Sequence, residues 1–134
     1  MESRTTGVGD ADRDVQMFLV RVAGTLGELL GDNLVGLYVR GALARGRFRR
    51  ERHGFELVAV VARKLPPEAR DSVARTLVRL SDARPVRGDL DVTIIEEENA
   101  RACDQSDTTL GAQIAEVREC GVTIVGPPAK DLFG

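Results

Sequence analysis

Tryptophan is absent from this chain, histidine occurs once at His53, and tyrosine once at Tyr38. With only four phenylalanines besides, a core has to be assembled from Val, Leu, Ile and Ala. Cysteine is almost as scarce. The spacing of Cys103 and Cys120 matches no zinc pattern, and two cysteines make no disulfide framework, so they read as free thiols in a reducing compartment. Among nineteen basic residues only Lys64 and Lys130 are lysines. No apolar run reaches the length of a membrane span. The opening "MESRTTGVGDADRD" has no apolar signal-peptide region. The net charge of -2 gives no global attraction to nucleic acid or to an anionic membrane. A cytoplasmic protein is expected, with neither nucleic acid nor a membrane as partner.

What is present suits one ordinary globular unit. The chain has 134 residues, 43% hydrophobic and 30% charged, which fits one domain with one core. Residues 1–10 are small and polar and read as a flexible tail, leaving 11–134 as a single domain.

The hydrophobic pattern gives the order helix, strand, strand, helix, strand, helix, strand. Val15, Phe18, Leu19, Val22, Ala23, Leu26, Leu29 and Leu30 recur at helical spacing. Asp12 or Asp14 can cap that helix, Gly31 can end it, and Gly24 and Gly27 suggest a close packing contact within it. "LVGLYVR" (34–40) and "FELVAVVA" (55–62) read as buried strands, with "ALARGRF" between them as a short helix. Pro66-Pro67 opens a helix whose stripe is Ala69, Val73, Leu77 and Leu80. Residues 89–97 read as a third strand, and "EENARACDQS" as a loop. Residues 109–119 read as a helix capped by Ser106 or Asp107, with Leu110, Ile114 and Val117 inward. "VTIV" is a last strand and "PPAKDLF" a last turn. This is an α/β (α+β) domain: a small mixed sheet with flanking helices.

A few residues could carry chemistry. Gly41 follows a strand and precedes a short helix, where backbone N–H groups can approach an anion. On spacing alone, a glycine that merely turns the chain is the commoner reading. Glu56 begins a strand that is apolar on both faces, where a carboxylate needs a metal or an arginine. It could also simply reach solvent. Asp89 and Asp91 share one face of the third strand and could hold Mg²⁺ through oxygen, or face water. His53 reads as a solvated loop residue. Arg40, Arg45, Arg47, Arg49, Arg50 and Arg52 crowd the loop beside Gly41. They form either a solvated loop or a triphosphate contact. The absence of interleaved aromatics argues against single-stranded nucleic acid.

The run "LVGLYVRGALARGRFRRERHGFELVAVVARKLPPEAR" resembles the start of bacterial aminoglycoside adenylyltransferases of the streptomycin/spectinomycin type. These belong to the nucleotidyltransferase superfamily, with its DNA polymerase beta-like core. "RPVRGDLDVTII" and "LGAQIAEVRECGVTIVGPPAKDLF" extend the resemblance over most of residues 15–133. It implies a Gly-Ser pair gripping nucleotide phosphates, an Asp-x-Asp pair holding Mg²⁺, and a third carboxylate on a later strand. Here those positions hold Gly41, Ala42, Gly54, Glu56 and Asp91. By resemblance, Glu56 and Asp91 are the catalytic residues and, with Asp89, the metal ligands. Gly41, Ala42, Arg45 and Arg52 are the nucleotide-binding ones.

Two of the motif's side chains are thus lost, at Ala42 and Gly54, a third is lengthened by a methylene at Glu56, and the family's helical domain has no counterpart before Gly134. The resemblance therefore implies a degenerate nucleotidyltransferase-like domain with weak or no adenylyl transfer, binding a nucleotide weakly or a protein partner. The alternative is an active minimal enzyme. It would use Mg²⁺ and ATP to move AMP to a hydroxyl of a small molecule or, as some of the antitoxins that such short domains resemble do, of a partner protein. A degraded site would need no cofactor. A third reading is a pure interaction module, with the arginine loop or Glu96–Glu98 as its surface. The first helix is a candidate homodimer contact. Restoring Ser, Asp and Asp at 42, 54 and 56 is expected to raise affinity for Mg²⁺-ATP.

Overall fold

The structure, a computed structural model, describes residues 7–9, 11–101 and 109–133. Helix α1 spans Arg13–Leu30 and buries Val15, Phe18, Leu19, Val22 and Leu26. Leu29, expected on the same stripe, is 40% exposed. Gly24 and Gly27 do not mark a packing contact, since a Cβ at either would meet nothing within 4 Å. Asp12 occupies the N-cap position without a side-chain capping bond. Its carboxylate, and that of Asp14, turn instead to Arg50 at 2.8 and 2.5 Å. Gly31 ends the helix at φ 55°, a conformation that favours glycine. A 3-10 turn follows at Gly31–Asn33.

Nine further segments build the rest. They are β1 (Leu34–Arg40), α2 (Gly41–Ala44), β2 (Phe55–Val61), α3 (Pro67–Asp82), β3 (Leu90–Glu96), α4 (Glu97–Arg101), α5 (Thr109–Cys120), β4 (Val122–Val125) and α6 (Ala129–Leu132). The sheet order is β3-β2-β1-β4. β2 runs parallel to β3, while β1 runs antiparallel to both β2 and β4. The mixed α/β sheet expected from the sequence is therefore present.

Each face of the sheet carries its own core. Phe55, Leu57, Ala59 and Val61 of β2 join Leu37 and Val39 of β1 beneath α1 and α3. Val58 and Val60, one residue out of phase, join Tyr38, Ile95, Ile114, Val117, Leu132 and Phe133 on the other face. Two-residue alternation explains why both sets are apolar: helices cover β2 on both sides.

The polar run after β3 is not wholly a loop. Glu97–Arg101 is helical, with Ala100 fully buried against the second core. Arg101 reaches back one turn to Glu97 at 2.9 Å. Glutamates in the first turn and arginine in the last suit the helix dipole. The pattern hid this helix because five residues with one buried alanine show no periodicity. In α3, Val73, Thr76 and Leu80 are buried, whereas Ala69 and Leu77 are only partly so. The caps expected at Ser106 and Asp107, the Leu110 side chain and Cys103 lie outside the described residues. Cys120 is a free, exposed thiol.

Of the expected tail, Gly7 and Val8 are partly buried and Gly9 is exposed. Val8 lies against the first core, and Gln16 Nε2 donates to the carbonyls of Val8, Gly9 and Ala11. The few aromatics are concentrated where the loops need anchoring. Phe48 sits in the middle of the arginine-rich loop, 2% exposed. Its ring lies 5.9 Å from Phe55, which meets Phe18 at 4.9 Å. Tyr38 meets Phe133 edge-on at 5.1 Å and donates to the Pro127 carbonyl at 2.7 Å. Among the described residues, no helix is long and apolar enough to cross a membrane.

Candidate functional site

Strand register builds one row of charged residues. Arg40 of β1 pairs with Glu56 of β2, and Glu56 pairs with Asp91 of β3. All three lie at the same end of the sheet and, by alternation, on the face shared with Tyr38 and Val58. Helix α5 packs on that face through Ile114 and Val117 and adds Glu116 from the residue between them.

The Arg40 guanidinium lies among these carboxylates. Nη1 is 3.3 Å from Glu56 Oε1 and 3.4 Å from Glu116 Oε1, and Nη2 is 3.4 Å from Asp91 Oδ2. Arg45 joins from the other side, 3.1 Å from Glu116 Oε2. The Arg40 side chain is only 12% exposed. Its Nε is buried with no hydrogen-bond partner among the described residues. Three carboxylates thus face two guanidiniums. An arginine so withdrawn from water is held in place by its anionic partners, which are themselves more exposed.

Glu116 is the residue that sequence reasoning missed, together with the central part played by Arg40. Glu116 lies within the segment that extends the resemblance, but the resemblance assigns it no role, and only the packing of α5 brings it to the sheet. Arg40 was one of six clustered arginines, and nothing but the strand register distinguishes it.

The donor set does not fit the Mg²⁺ site that the resemblance implies. Mg²⁺ demands several oxygen ligands in near-octahedral array. Among the described residues, no group of three or more acidic, histidine or cysteine side chains is arranged to hold a metal ion. Arg40 lies in bonding range of both Glu56 and Asp91. Asp89 is not with them: its side chain is 94% exposed, and its nearest cation is Arg84 at 3.9 Å.

Two glycines explain the backbone of the site. Gly41 has φ 76°, and a Cβ there would collide with Glu56 Oε2. The glycine therefore serves both the turn and the close approach of a carboxylate. Gly54 precedes β2, where Phe55 N donates to the Asp89 carbonyl at 2.8 Å. A Cβ on Gly54 would collide with that same carbonyl and lie 2.5 Å from Asp89 N and 2.6 Å from the Gly88 carbonyl carbon. The obstacles are backbone atoms, which cannot swing aside.

The rest of the arginine loop divides by partner. Arg50 is clamped between Asp12, Asp14 and the Pro85 carbonyl. Arg47 and Arg52 are exposed. His53 closes the turn by accepting from Arg49 N at 2.9 Å. Ala42 lies in α2 and is partly buried. A groove of about 530 Å³ between α3 and β3, lined by Val73, Leu77, Val92, Ile94 and Glu96, touches none of the expected catalytic, metal-ligating or nucleotide-binding residues.

No protein-family model matches the sequence, and no curated protein does. Solved structures do match. A spectinomycin adenyltransferase from Enterococcus faecalis, solved with ATP and spectinomycin, aligns at TM-score 0.71 and 14% identity, covering 90% of this chain. This chain spans 60% of that protein's length. A chain of the tri-AMPylated HEPN toxin in complex with MNT antitoxin from Shewanella oneidensis aligns at TM-score 0.49 and 18% identity, covering 87% of this chain and 76% of that one. At such identities the first match speaks for architecture alone. The match over 90% of the chain gives its mixed sheet and flanking helices the nucleotidyltransferase fold.

Proposed function

We propose that this domain is a degenerate nucleotidyltransferase, with little or no adenylyl transfer, that binds a nucleotide weakly or serves a protein partner. One observation carries the reading. At Gly54, the position matching the first aspartate of the resembling family, the backbone of residues 88–89 leaves no room for any side chain. The ligand is not merely missing, because the space it would occupy is closed. The exposed Arg47 and Arg52 are then the groups best suited to meet an anionic ligand or partner. The similar spectinomycin adenyltransferase was solved with ATP, which makes ATP the nucleotide to try.

A second reading rests on the pairing of Glu56 with Asp91. It is an active minimal enzyme that moves AMP from Mg²⁺-ATP to a hydroxyl of a small molecule or a partner protein. It requires Arg40 to leave the two carboxylates.

Calorimetric titration of ATP with and without Mg²⁺, paired with incubation in labelled ATP, separates the readings. Weak or absent ATP binding that Mg²⁺ does not strengthen, with no labelled product, supports degeneracy. Mg²⁺-dependent transfer of label that Asp91→Ala abolishes would sink it.

A further inference from the structure

The structure assigns Arg40 as a tethered cation: its guanidinium takes the place of a divalent metal among Glu56, Asp91 and Glu116. The inference rests on the reading of the domain as degenerate and states how its acidic row stays folded without a metal.

Geometry is the first support. Arg40 starts on β1, yet its Nη2 reaches Asp91 on β3 across the width of β2, and its Nη1 lies near both Glu56 and Glu116. Three carboxylates from three different elements converge on one side chain. A surface arginine seeking one partner has no reason to sit there, nor to leave its own Nε buried with no partner among the described residues.

Charge is the second support. Three carboxylates brought together repel one another, and the repulsion grows where water is partly excluded. A metal-binding fold relieves this with a divalent ion. Here Arg40, backed by Arg45 on Glu116, supplies the positive charge permanently and needs no concentration of free metal.

The third support is the backbone. Glu56 leans over Gly41, and Gly54 is packed on Gly88 and Asp89. Both glycines fit an arrangement with Glu56 turned toward Arg40 and no ligand at position 54. The inference predicts more than a lost activity: a cation is already in place, and a metal can enter only once it is removed and the three carboxylates regroup, since they are not placed to hold one as they stand.

Mn²⁺ titration without nucleotide, followed by the paramagnetic resonance of free Mn²⁺, tests this on the whole chain. The wild-type protein is expected to show no saturable binding at millimolar Mn²⁺. Arg40→Gln is expected to bind at least about tenfold more tightly, as removal of a unit charge a few ångströms away allows. The gain should vanish in Arg40→Gln/Asp91→Asn. Saturable binding by the wild type that Arg40→Gln leaves unchanged would overturn the inference. So would a folded Arg40→Gln that binds no Mn²⁺, since the row would then lack ligands rather than room.

If Arg40→Gln does not fold, the wild type still decides. The Arg40 guanidinium resonances should be unmoved by millimolar Mg²⁺, and their displacement would count against the assignment. Mn²⁺ binding without AMP transfer would remove this inference and leave the degenerate reading standing. AMP transfer by the wild type would remove that reading itself.

Discussion

Gly54 and Gly88 meet backbone to backbone where β2 and β3 begin: a Cβ on Gly88 would lie 2.5 Å from the Gly54 Cα. This contact revises the expectation that restoring three motif residues would restore Mg²⁺-ATP affinity. An aspartate at 54 has to displace the strand backbone beside it, whatever stands at 42 and 56.

Gly54→Asp is therefore expected to destabilise the domain by about 3 kcal/mol or more, as overpacking against backbone does. Gly54→Ala should cost nearly as much, because the clash begins at Cβ. Ala42→Ser, on a partly buried turn of α2, should stay within about 0.5 kcal/mol of wild type. Urea unfolding of the three single variants measures the ranking. A Gly54→Asp variant as stable as Ala42→Ser would refute it.

The Arg40 network should behave as a coupled unit. Arg40→Gln alone is expected to cost about 2 kcal/mol, less than a fully buried pair because Glu56 and Asp91 are partly hydrated. Adding Glu116→Gln should recover part of that loss, since Glu116 is the least exposed of the three carboxylates, at 19%. A double-mutant cycle reads the coupling directly. Simple additivity of the two substitutions would mean that Arg40 and Glu116 do not interact in solution.

Tyr38 gives the fold an alkaline limit. Burial pushes its hydroxyl up from 10.0 to about 12, with Arg101 opposing the shift. Between those values the unfolded chain has lost the proton and the folded one retains it. Stability is thus undiminished below pH 10 and falls as pH rises toward 12, by about 2–3 kcal/mol from this group. Tyr38→Phe should flatten that part of the profile. It should also lower stability at neutral pH by about 1–2 kcal/mol, because the Pro127 carbonyl loses its donor. Thermal melts of both proteins across the alkaline range provide the comparison.

Arg50 ties the start of α1 to the loop before β2. Its hydrogen bond holds the Asp14 carboxyl below its ordinary range. That contribution is present at neutral pH and is lost as pH falls through the lowered value. All three side chains are substantially exposed, so Arg50→Ala should cost no more than about 1 kcal/mol. The difference from wild type should shrink in high salt. A loss that persists in high salt would point instead to the Pro85 carbonyl as the partner that matters.

The sequence alone determined the elements that bury regular stripes. The α1 stripe, both faces of β2 and the proline start of α3 were legible because each repeats at the period of its own backbone. Glu56 could be singled out because a carboxylate in an apolar strand needs a partner, and Asp91 because it shares a strand face with Asp89 and matches the third carboxylate of the resembling family. Glu97–Arg101 was not legible as a helix, being too short to show a period.

What only the tertiary structure decided is which partner the carboxylates have. Arg40 and Asp91 are far apart in the chain and on strands that do not touch, and register alone lines them up on either side of Glu56. Glu116 arrives on a helix placed by its buried neighbours. Gly54 looked like a deleted ligand, and its real constraint, the backbone of Gly88 and Asp89, is invisible until the parallel pairing of β2 with β3 is known. Local periodicity is written in neighbouring residues. Ion pairing and steric closure are properties of residues that folding alone makes neighbours.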